Sequence, residues 1–280
     1  MQLAPRYDGR PPLRVEVQLA DPSVPLLRQR RRLADILGGL DIEQWAVASR
    51  CSGWSVQDVV AHLVGVNRFW ALSVRSALAG TPTRLLVGFD PVVTPRLMVE
   101  PMHDLAPAAV LDDFVASVDD LADALDGADD GSWSLLAEAP PGHIALRAVA
   151  LHALWDGWVH ERDIVLPLGL TPVAHDEEVT ASLLYVAVLG PALLAAVGVA
   201  RSGTLAVHAE DPTVRFVVDA GETIVAREPG PADADAPCLE GPAVKLVEGL
   251  SRRIPLRHDL SADNRWLVDG LADVFDPTLA

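Results

Sequence analysis

Three polar residues at equal spacing, His152, Asp156 and His160, carry the strongest chemical signal in the sequence. A spacing of four keeps successive members within about 40° of one another around a helix, so all three lie on one side of it. Their neighbours along the chain are mainly Leu, Trp and Val, so we expect that side to border the core. Buried polar side chains are costly unless they are paired or bind a metal ion, and the pattern therefore predicts a site.

A metal ion held by this helix would need a ligand from another helix, and His62 is the candidate because it lies in the apolar run VVAHLV. Two imidazole nitrogens and one carboxylate suit Zn²⁺ or another borderline divalent ion, and they leave positions open for water or substrate. We therefore predict His62, Asp156 and His160 as the metal ligands. Two other interpretations stay open from the residues alone, since a D-x-x-x-H pair is often an ordinary ion pair and a single buried His is often a hydrogen-bonded core residue.

Other side chains near this set receive secondary roles. His152 is either an alternative ligand or a residue that supports one, and Asp163, one turn after His160, is expected to orient a ligand rather than to bind the ion. Cys51 precedes a helix, where a thiol can act as a nucleophile, but we favour a buried, unreactive thiol. The tryptophans at positions 54, 70, 155 and 158 are interpreted as core residues.

The elements that must position these residues are predicted from periodicity. Apolar residues recur at intervals of three and four in five segments, which predict helices over about 26–40, 55–80, 107–126, 143–166 and 176–197. Ser55, followed three residues later by Asp58, resembles a capping box at the start of the second helix. Residues 80–104 contain four prolines, and residues 127–141 begin with Gly and end with Pro, so both segments are predicted to be loops.

The pattern changes after Gly198. Alternating residues predict strands at 204–208, 214–218, 223–227 and 238–240, with helices at 242–249 and 265–275. The sequence thus predicts an α+β protein in which an N-terminal helical bundle, with four main helices plus a fifth, precedes a small C-terminal α/β domain. The predicted units are a loosely attached Pro-rich arm at 1–24, the metal-binding bundle at 25–199 and the α/β domain at 200–280.

Composition limits the partners. The 280 residues carry a formal charge of −17, from 22 basic and 39 acidic side chains, which disfavours nucleic acid and anionic membranes as partners. The N-terminal residues lack the apolar segment of a secretory signal and the two cysteines are too few for a disulfide framework, so we expect a cytoplasmic protein. The apolar stretch at 179–200 is interpreted as a buried core helix, because Gly190-Pro191 interrupts it. The oligomeric state is left open.

Two motifs resemble a known family. The segment CSGWSVQDVVAHL at 51–63 is similar to the helix-two signature of the mycothiol-dependent maleylpyruvate isomerase family, and WVHERDI at 158–164, followed by LPLG at 166–169, is similar to its second signature. The family belongs to the DinB-like superfamily of metal-binding helical bundles. The resemblance covers about residues 26–275, and carried over by position it implies that His62, Asp156 and His160 bind the metal.

The resemblance also implies chemistry. Mycothiol, a small thiol, would bind near the metal and add to an electrophilic double bond, allowing rotation before elimination, or would displace a leaving group. An Arg after the short C-terminal helix is implicated in activity in the family; Arg253 is the match, and it could hold a substrate carboxylate or be a surface residue. The chain departs from the family at Asp156, where the active isomerases have Glu, which favours weaker coordination.

Three functional hypotheses follow. The first is a metal- and mycothiol-dependent isomerase or S-transferase that acts on a small electrophile, with Zn²⁺ as the expected metal. The second is a non-catalytic or repurposed bundle that binds a small ligand of a biosynthetic pathway, which the Asp156 replacement favours. A regulatory partner-binding protein ranks last, because it rests only on the acidic surface and the long loops.

Overall fold

A computed structural model describes residues 2–275, so Met1 and residues 276–280, the ends of the predicted arm and of the predicted C-terminal domain, lie outside it. The first two thirds of the chain are mainly helical. The helices there are α1 (Ser23–Gly38), α2 (Ile42–Trp45), α3 (Val56–Leu78), α4 (Val93–Val99), α5 (Pro107–Asp126), α6 (Leu146–Val165) and α7 (Asp176–Ala196). The long helices α1, α3, α5 and α6 pack against one another along the apolar stripes that their sequences predict.

A five-stranded mixed sheet is formed by four strands that follow these helices and one that precedes them. It contains β1 (Leu13–Val15), β4 (Gly203–Glu210), β5 (Val214–Ala220), β6 (Ile224–Arg227) and β7 (Cys238–Pro242), in the order β1-β6-β5-β4-β7. Strands β4, β5 and β6 form an antiparallel meander, whereas β7 pairs with β4 and β1 pairs with β6 in parallel. Helices α8 (Ala243–Leu250) and α9 (Trp266–Phe275) complete the chain, which confirms a mixed α and β fold.

Three predictions about the loops and the arm are wrong in detail. Residues 80–104 include α4, because Pro95 lies in its first turn, where the backbone N–H has no intrahelical partner to lose. Residues 127–141 run into a hairpin of β2 (Leu136–Ala139) and β3 (Gly142–Ala145), so the fourth predicted helix begins at Leu146 rather than near His143. The arm is not loosely attached, since β1 is hydrogen-bonded into the C-terminal sheet with Leu13 opposite Ile224.

Helix α7 joins the helical part to the sheet. It packs against α6 on one side and against β1, β6, α8 and α9 on the other. It is long and apolar enough to cross a membrane, but 89% of its most apolar window is buried inside the fold. Helix α9 approaches it so closely that a Cβ on Gly270 would lie 2.4 Å from the carbonyl carbon of Gly190. One apolar core therefore extends across the predicted domain boundary at about residue 200, which itself stays a prediction.

Candidate metal centre

Helix α3 brings His62 into the interior. A capping box fixes the start of this helix: the Ser55 hydroxyl accepts a hydrogen bond from the Asp58 backbone N–H, and the Asp58 carboxylate accepts one from the Ser55 N–H at 2.9 Å. His62 follows one turn later and is only 7% exposed. Its ring lies 5.5 Å from that of Trp54, measured between centroids, so the residue before the cap covers one side of the imidazole.

Helix α6 places Asp156 and His160 opposite His62. The Oδ1 atom of Asp156 lies 3.8 Å from Nε2 of His62 and 3.5 Å from Nε2 of His160. One donor atom from each of the three residues lies within 4.8 Å of the others. The structure therefore brings together the three residues predicted as metal ligands, and the shorter Asp side chain reaches both histidines.

The cluster fits a divalent ion on its own geometry. The two Nε2 atoms face the carboxylate at distances longer than a good hydrogen bond, as expected of donors that converge on a shared cation. The second carboxylate oxygen of Asp156, Oδ2, is buried and has no hydrogen-bond partner among residues 2–275. A buried carboxylate oxygen left unpaired is costly, so a ligand that satisfies it would stabilise the site.

Mutual interactions set the charges in this cluster. Burial disfavours the ionised form of Asp156, but the neighbouring His160 and His62 outweigh it and hold the pKa of the carboxyl well below its usual value. Burial also acts to lower the pKa of His160, yet Cys51, Asp156 and Asp163 together raise it to about 10. The pKa of His62 is lowered, mainly by burial. A divalent ion would therefore displace a proton from His160 on binding.

Asp163 orients His160 from behind. Its Oδ2 atom lies 3.1 Å from Nδ1 of His160, which leaves Nε2 directed toward Asp156. The carboxylate is fully buried and is itself held by Arg253, whose Nε and Nη2 donate to it at 2.8–2.9 Å. This is the arrangement expected of a residue that orients a metal ligand. Most of the hydrogen-bond donors of Arg253 are directed to Asp163 and not to the cavity. The role predicted for Arg253, to hold a substrate carboxylate, stays a prediction.

Cys51 lies closer to the site than the sequence indicates. Its Sγ donates to Asp163 Oδ2 at 3.2 Å and lies 3.6 Å from Nδ1 of His160. It is half-buried and lines the cavity described below, so the prediction of a buried thiol is wrong, whereas its lack of reactivity stays a prediction. Nothing in the apolar pattern could have indicated this contact, because Cys51 lies in a loop whose path depends on α6.

His152 does not join the metal cluster. Its Nδ1 instead forms a hydrogen bond of 2.7 Å with the hydroxyl of Tyr185 on α7, and burial lowers the pKa of its imidazole to about 4. Its ring packs between those of Trp70 and Trp155, at centroid distances of 4.7 and 5.4 Å. The three equally spaced residues of α6 therefore lie in two environments: Asp156 and His160 belong to a charged cluster, and His152 to an aromatic one.

A single cavity of about 580 Å³ connects these two environments. At one end it is lined by the predicted ligands together with Cys51, Trp54 and Arg253. At the other end its wall is mainly apolar and aromatic, formed by Phe69, Trp70, Phe89, Leu189, Leu193 and Leu271. Several of the tryptophans interpreted as core residues thus border a space of the size that small-molecule sites have.

A buried arginine lies beneath the cluster and was not identified from the sequence. Arg30 is fully buried; its Nε donates to Asn67 at 3.0 Å, its Nη2 donates to the Ala153 carbonyl at 2.8 Å, and its Nη1 bonds Gln29. The guanidinium fits against α6 because Gly157 has no Cβ, which would lie 1.3 Å from Nη1. In a chain with 22 basic residues, no pattern distinguishes this one.

A second group of metal-binding residue types lies on the sheet. His208, Cys238 and Glu240 meet where β4 pairs with β7, with His208 Nδ1 at 3.3 Å from the Glu240 carboxylate. Unlike the first cluster, this group lies at the surface, where His208 and Glu240 are 42% and 70% exposed. It lines none of the cavity just described.

Comparisons with known proteins agree with this architecture. A family model described as the mycothiol maleylpyruvate isomerase N-terminal domain matches residues 26–165, half of the chain. The crystal structure of a histidine-to-alanine mutant of the mycothiol-dependent maleylpyruvate isomerase is similar with a TM-score of 0.60 at 16% identity, covering 85% of this chain and 91% of that one. A second crystal structure of that enzyme gives 0.57 at 17% identity, covering 83% and 88%. Identities this low show the fold alone, and no curated protein matches the chain.

Proposed function

The chain belongs to the mycothiol maleylpyruvate isomerase N-terminal domain family, as its two motifs predicted, and from this premise we propose that it is a metal-dependent enzyme that uses a small thiol. The thiol implied by the family is mycothiol, and the reaction is isomerisation of a small electrophilic substrate or transfer of the thiol to it. The observation that carries the proposal is the convergence of His62, Asp156 and His160 on one point in the wall of a cavity.

The residues of the cluster have separate tasks. His62, Asp156 and His160 would hold the ion, expected to be Zn²⁺, which when bound lowers the pKa of a coordinated thiol and so supplies thiolate at neutral pH. Asp163 accepts the Nδ1 proton of His160 and fixes the tautomer in which Nε2 has a free lone pair. Arg253 holds Asp163 in place.

The proposed reaction forms an anionic intermediate, which the cavity must shield from water. Thiol addition to a double bond forms a carbon–sulfur bond and moves the electron pair of the double bond onto the conjugated carbonyl oxygen. Rotation about the resulting single bond, followed by cleavage of the carbon–sulfur bond, returns the isomerised product and the thiol. The apolar wall excludes water from these steps, which protects the anionic intermediate from premature protonation.

Metal analysis tests the proposal directly. We expect the purified, zinc-supplemented protein to contain about one equivalent of zinc, and His160→Ala to contain less than about a tenth. Thiol-dependent loss of the absorbance of an α,β-unsaturated ketone should fall by at least about 100-fold in the same variant. His175→Ala is the matched control, because that exposed histidine precedes α7 and lies outside the cavity. A protein that stays free of metal after zinc loading would contradict the proposal and favour a non-catalytic ligand-binding bundle.

A further inference from the structure

His152 is a buried polar residue that the metal cluster leaves unused. It lies one helical turn before Asp156, about 6 Å along α6, in the aromatic part of the cavity. Its Nδ1 bonds the Tyr185 hydroxyl, whereas its Nε2 has no partner among residues 2–275. The side chain is 6% exposed and lines the cavity, so this unpaired nitrogen borders the space that a substrate would occupy.

The partners of His152 determine which nitrogen carries the proton. The Tyr185 hydroxyl is fully buried, and His152 Nδ1 is its only hydrogen-bond partner in the described part of the chain. If Nδ1 carried the proton, the hydroxyl would accept it and its own O–H would have no acceptor. If the hydroxyl donates to Nδ1, both groups are satisfied and the proton lies on Nε2. Burial lowers the pKa of His152 to about 4 and raises that of Tyr185, so both groups are neutral near pH 7.

We propose that the Nε2–H of His152 donates a hydrogen bond to the substrate carbonyl that is conjugated to the attacked double bond, and thereby stabilises the enolate oxygen formed on thiol addition. This assignment rests on the proposed function and makes His152 a catalytic residue rather than a metal ligand. No proton is transferred: the oxygen gains charge when the carbon–sulfur bond forms and loses it when that bond breaks. Such a donor is most effective in an apolar wall, and Trp70 and Trp155 supply one.

The position also limits the substrate. His152 and Asp156 are about one helical turn apart along α6, a span that the hydrogen bond, the O=C–C=C unit and the forming carbon–sulfur bond could cover together. Near His152 the wall includes the apolar residues Phe69, Leu189, Leu193 and Leu271, whereas Arg96 and Arg252 line other parts of the cavity. A carbonyl substituent that packs against this apolar part of the wall should itself be apolar or aromatic, so aryl and alkyl enones fit this part of the cavity.

Two measurements without thiol test the hydrogen bond separately from catalysis. When 4-phenyl-3-buten-2-one binds to the unaltered protein, its infrared carbonyl band should move to lower frequency than in an apolar solvent. When it binds to the His152→Phe variant, the band should remain near its position in that solvent. The side-chain nitrogen spectrum of histidine-labelled protein should show His152 as the Nε2–H tautomer at pH 7. An Nδ1–H tautomer, or an equally shifted band in His152→Phe, would overturn the assignment.

Kinetics with thiol supply the second arm. His152→Phe should lower kcat by about 100-fold with a smaller change in KM, the effect of removing one oxyanion donor. Tyr185→Phe should lower kcat by about 10-fold. Without the hydroxyl the proton of His152 can lie on either ring nitrogen, but Nε2 still donates in the molecules in which it carries the proton. His152→Gln, whose amide can donate, should recover part of the loss and also covers the case in which the Phe variant fails to fold. Zinc content should be unchanged in all three, and loss of zinc would instead make His152 a ligand.

The two arms separate the two proposals. If no thiol-dependent turnover occurs but the carbonyl band still shifts, the proposed function fails and the hydrogen-bond donor stands. If turnover occurs and His152→Phe keeps kcat within about twofold of the unaltered protein, far below the effect of a lost oxyanion donor, the function stands and the inference fails. His175→Phe should match the unaltered protein in both arms.

Discussion

At the scale of single residues, the candidate centre depends on contacts that hold its ligands from behind. Asp156 and His160 lie on adjacent turns of one helix; Asp163 orients His160 directly, and Arg30 packs beneath the helix and donates to the Ala153 carbonyl. Each supporting residue has its own partners, Asn67 for the first and Arg253 for the second. The supports are therefore expected to tune metal affinity nearly as strongly as the ligands themselves.

Removing the Arg253 side chain tests this support. In Arg253→Gln the Asp163 carboxylate loses the guanidinium that donates to it at 2.8 Å and keeps only Arg50, at 3.8 Å, as an arginine partner, so His160 loses part of its orientation. We expect zinc affinity to fall by about 10-fold or more, measured by competition with a chromophoric chelator. Arg252→Gln is the control, because the neighbouring side chain is exposed and does not contact Asp163. Equal affinities in the two variants would show that Arg253 has no part in orienting the ligand.

Gly157 offers a test of packing against the buried arginine. A Cβ at this position would lie 1.3 Å from Nη1 of Arg30, whose partners on every side leave it no room to move. We expect Gly157→Ala to lower the free energy of unfolding by about 3 kcal/mol or more, measured by urea denaturation. Gly38→Ala, at the open end of α1, should instead be neutral or stabilising by up to about 1 kcal/mol. Equal effects would mean that the arginine can be displaced at little cost.

The three residues predicted as metal ligands lie together in the structure, and the part of this grouping that could be predicted follows from local spacing; their role as ligands stays a prediction. Spacing places Asp156 and His160 on one face, and the family motifs supply His62. The contacts of Cys51, Arg30 and Tyr185 could not be predicted in this way, since each one joins segments far apart in the chain. A single sequence contains no signal for such pairs when the partners are common residue types.

At the scale of elements, the long helices and the strands and helices after Gly198 were predicted within a few residues, whereas α2, α4 and the strands β1, β2 and β3 were not. Helix α5 matches its prediction, and α3 begins at its predicted capping box. Strands β2 and β3 have four residues each and no apolar alternation, and β1 follows two prolines, so periodicity could not identify them. These strands form through contacts with distant segments rather than through local preference.

The hairpin that was missed anchors one wall of the cavity. Glu138 in β2 is fully buried, and its carboxylate accepts hydrogen bonds from the backbone N–H groups of Leu85 and Leu86 at 2.9 and 2.8 Å and from the Tyr7 hydroxyl. It thereby joins the arm and the segment before α4, which contributes Leu86 and Phe89 to the cavity. Burial opposes its ionisation, but these hydrogen bonds keep the pKa of Glu138 below its usual value.

This contact gives a pH dependence of defined sign. Because the folded-state pKa of Glu138 lies below the unfolded value of 4.5, its stabilisation is complete above that value and is lost as pH falls through the folded pKa. Glu138→Gln should lower the free energy of unfolding by about 2 kcal/mol at pH 7. Urea denaturation at pH 7 and near pH 4 should show the difference from the unaltered protein shrinking at the lower pH, and a constant difference would contradict it.

At the scale of the whole molecule, the helical part and the sheet share a core. Helix α7 is buried on both sides, and α9, which follows the sheet, contributes Leu271 and Phe275 to the cavity beside the helices. Arg50, in the loop before α3, donates to Glu248 on α8 at 2.8 Å, close to the candidate centre. The cavity is therefore built from both parts of the chain.

A fragment that contains only the helical part should show that this part depends on the sheet and α9 for its stability. We expect residues 25–199 expressed alone to aggregate or to lack a cooperative thermal transition, because the face of α7 that packs on α9 and the sheet would be exposed. The full chain should unfold in one transition, measured by calorimetry and by tryptophan fluorescence together. A fragment that melts cooperatively and binds zinc would show that the helical part is an independent domain.

The placement of β1 has a consequence for biosynthesis. The strand leaves the ribosome early, yet its partner β6 emerges about two hundred residues later. Throughout that interval the nascent chain must keep an apolar, β-prone segment unpaired while the helices between the two strands are already able to condense. Completion of this sheet edge is thus postponed until β6 has been synthesised, and the wall of the cavity that the arm supports cannot be completed before then.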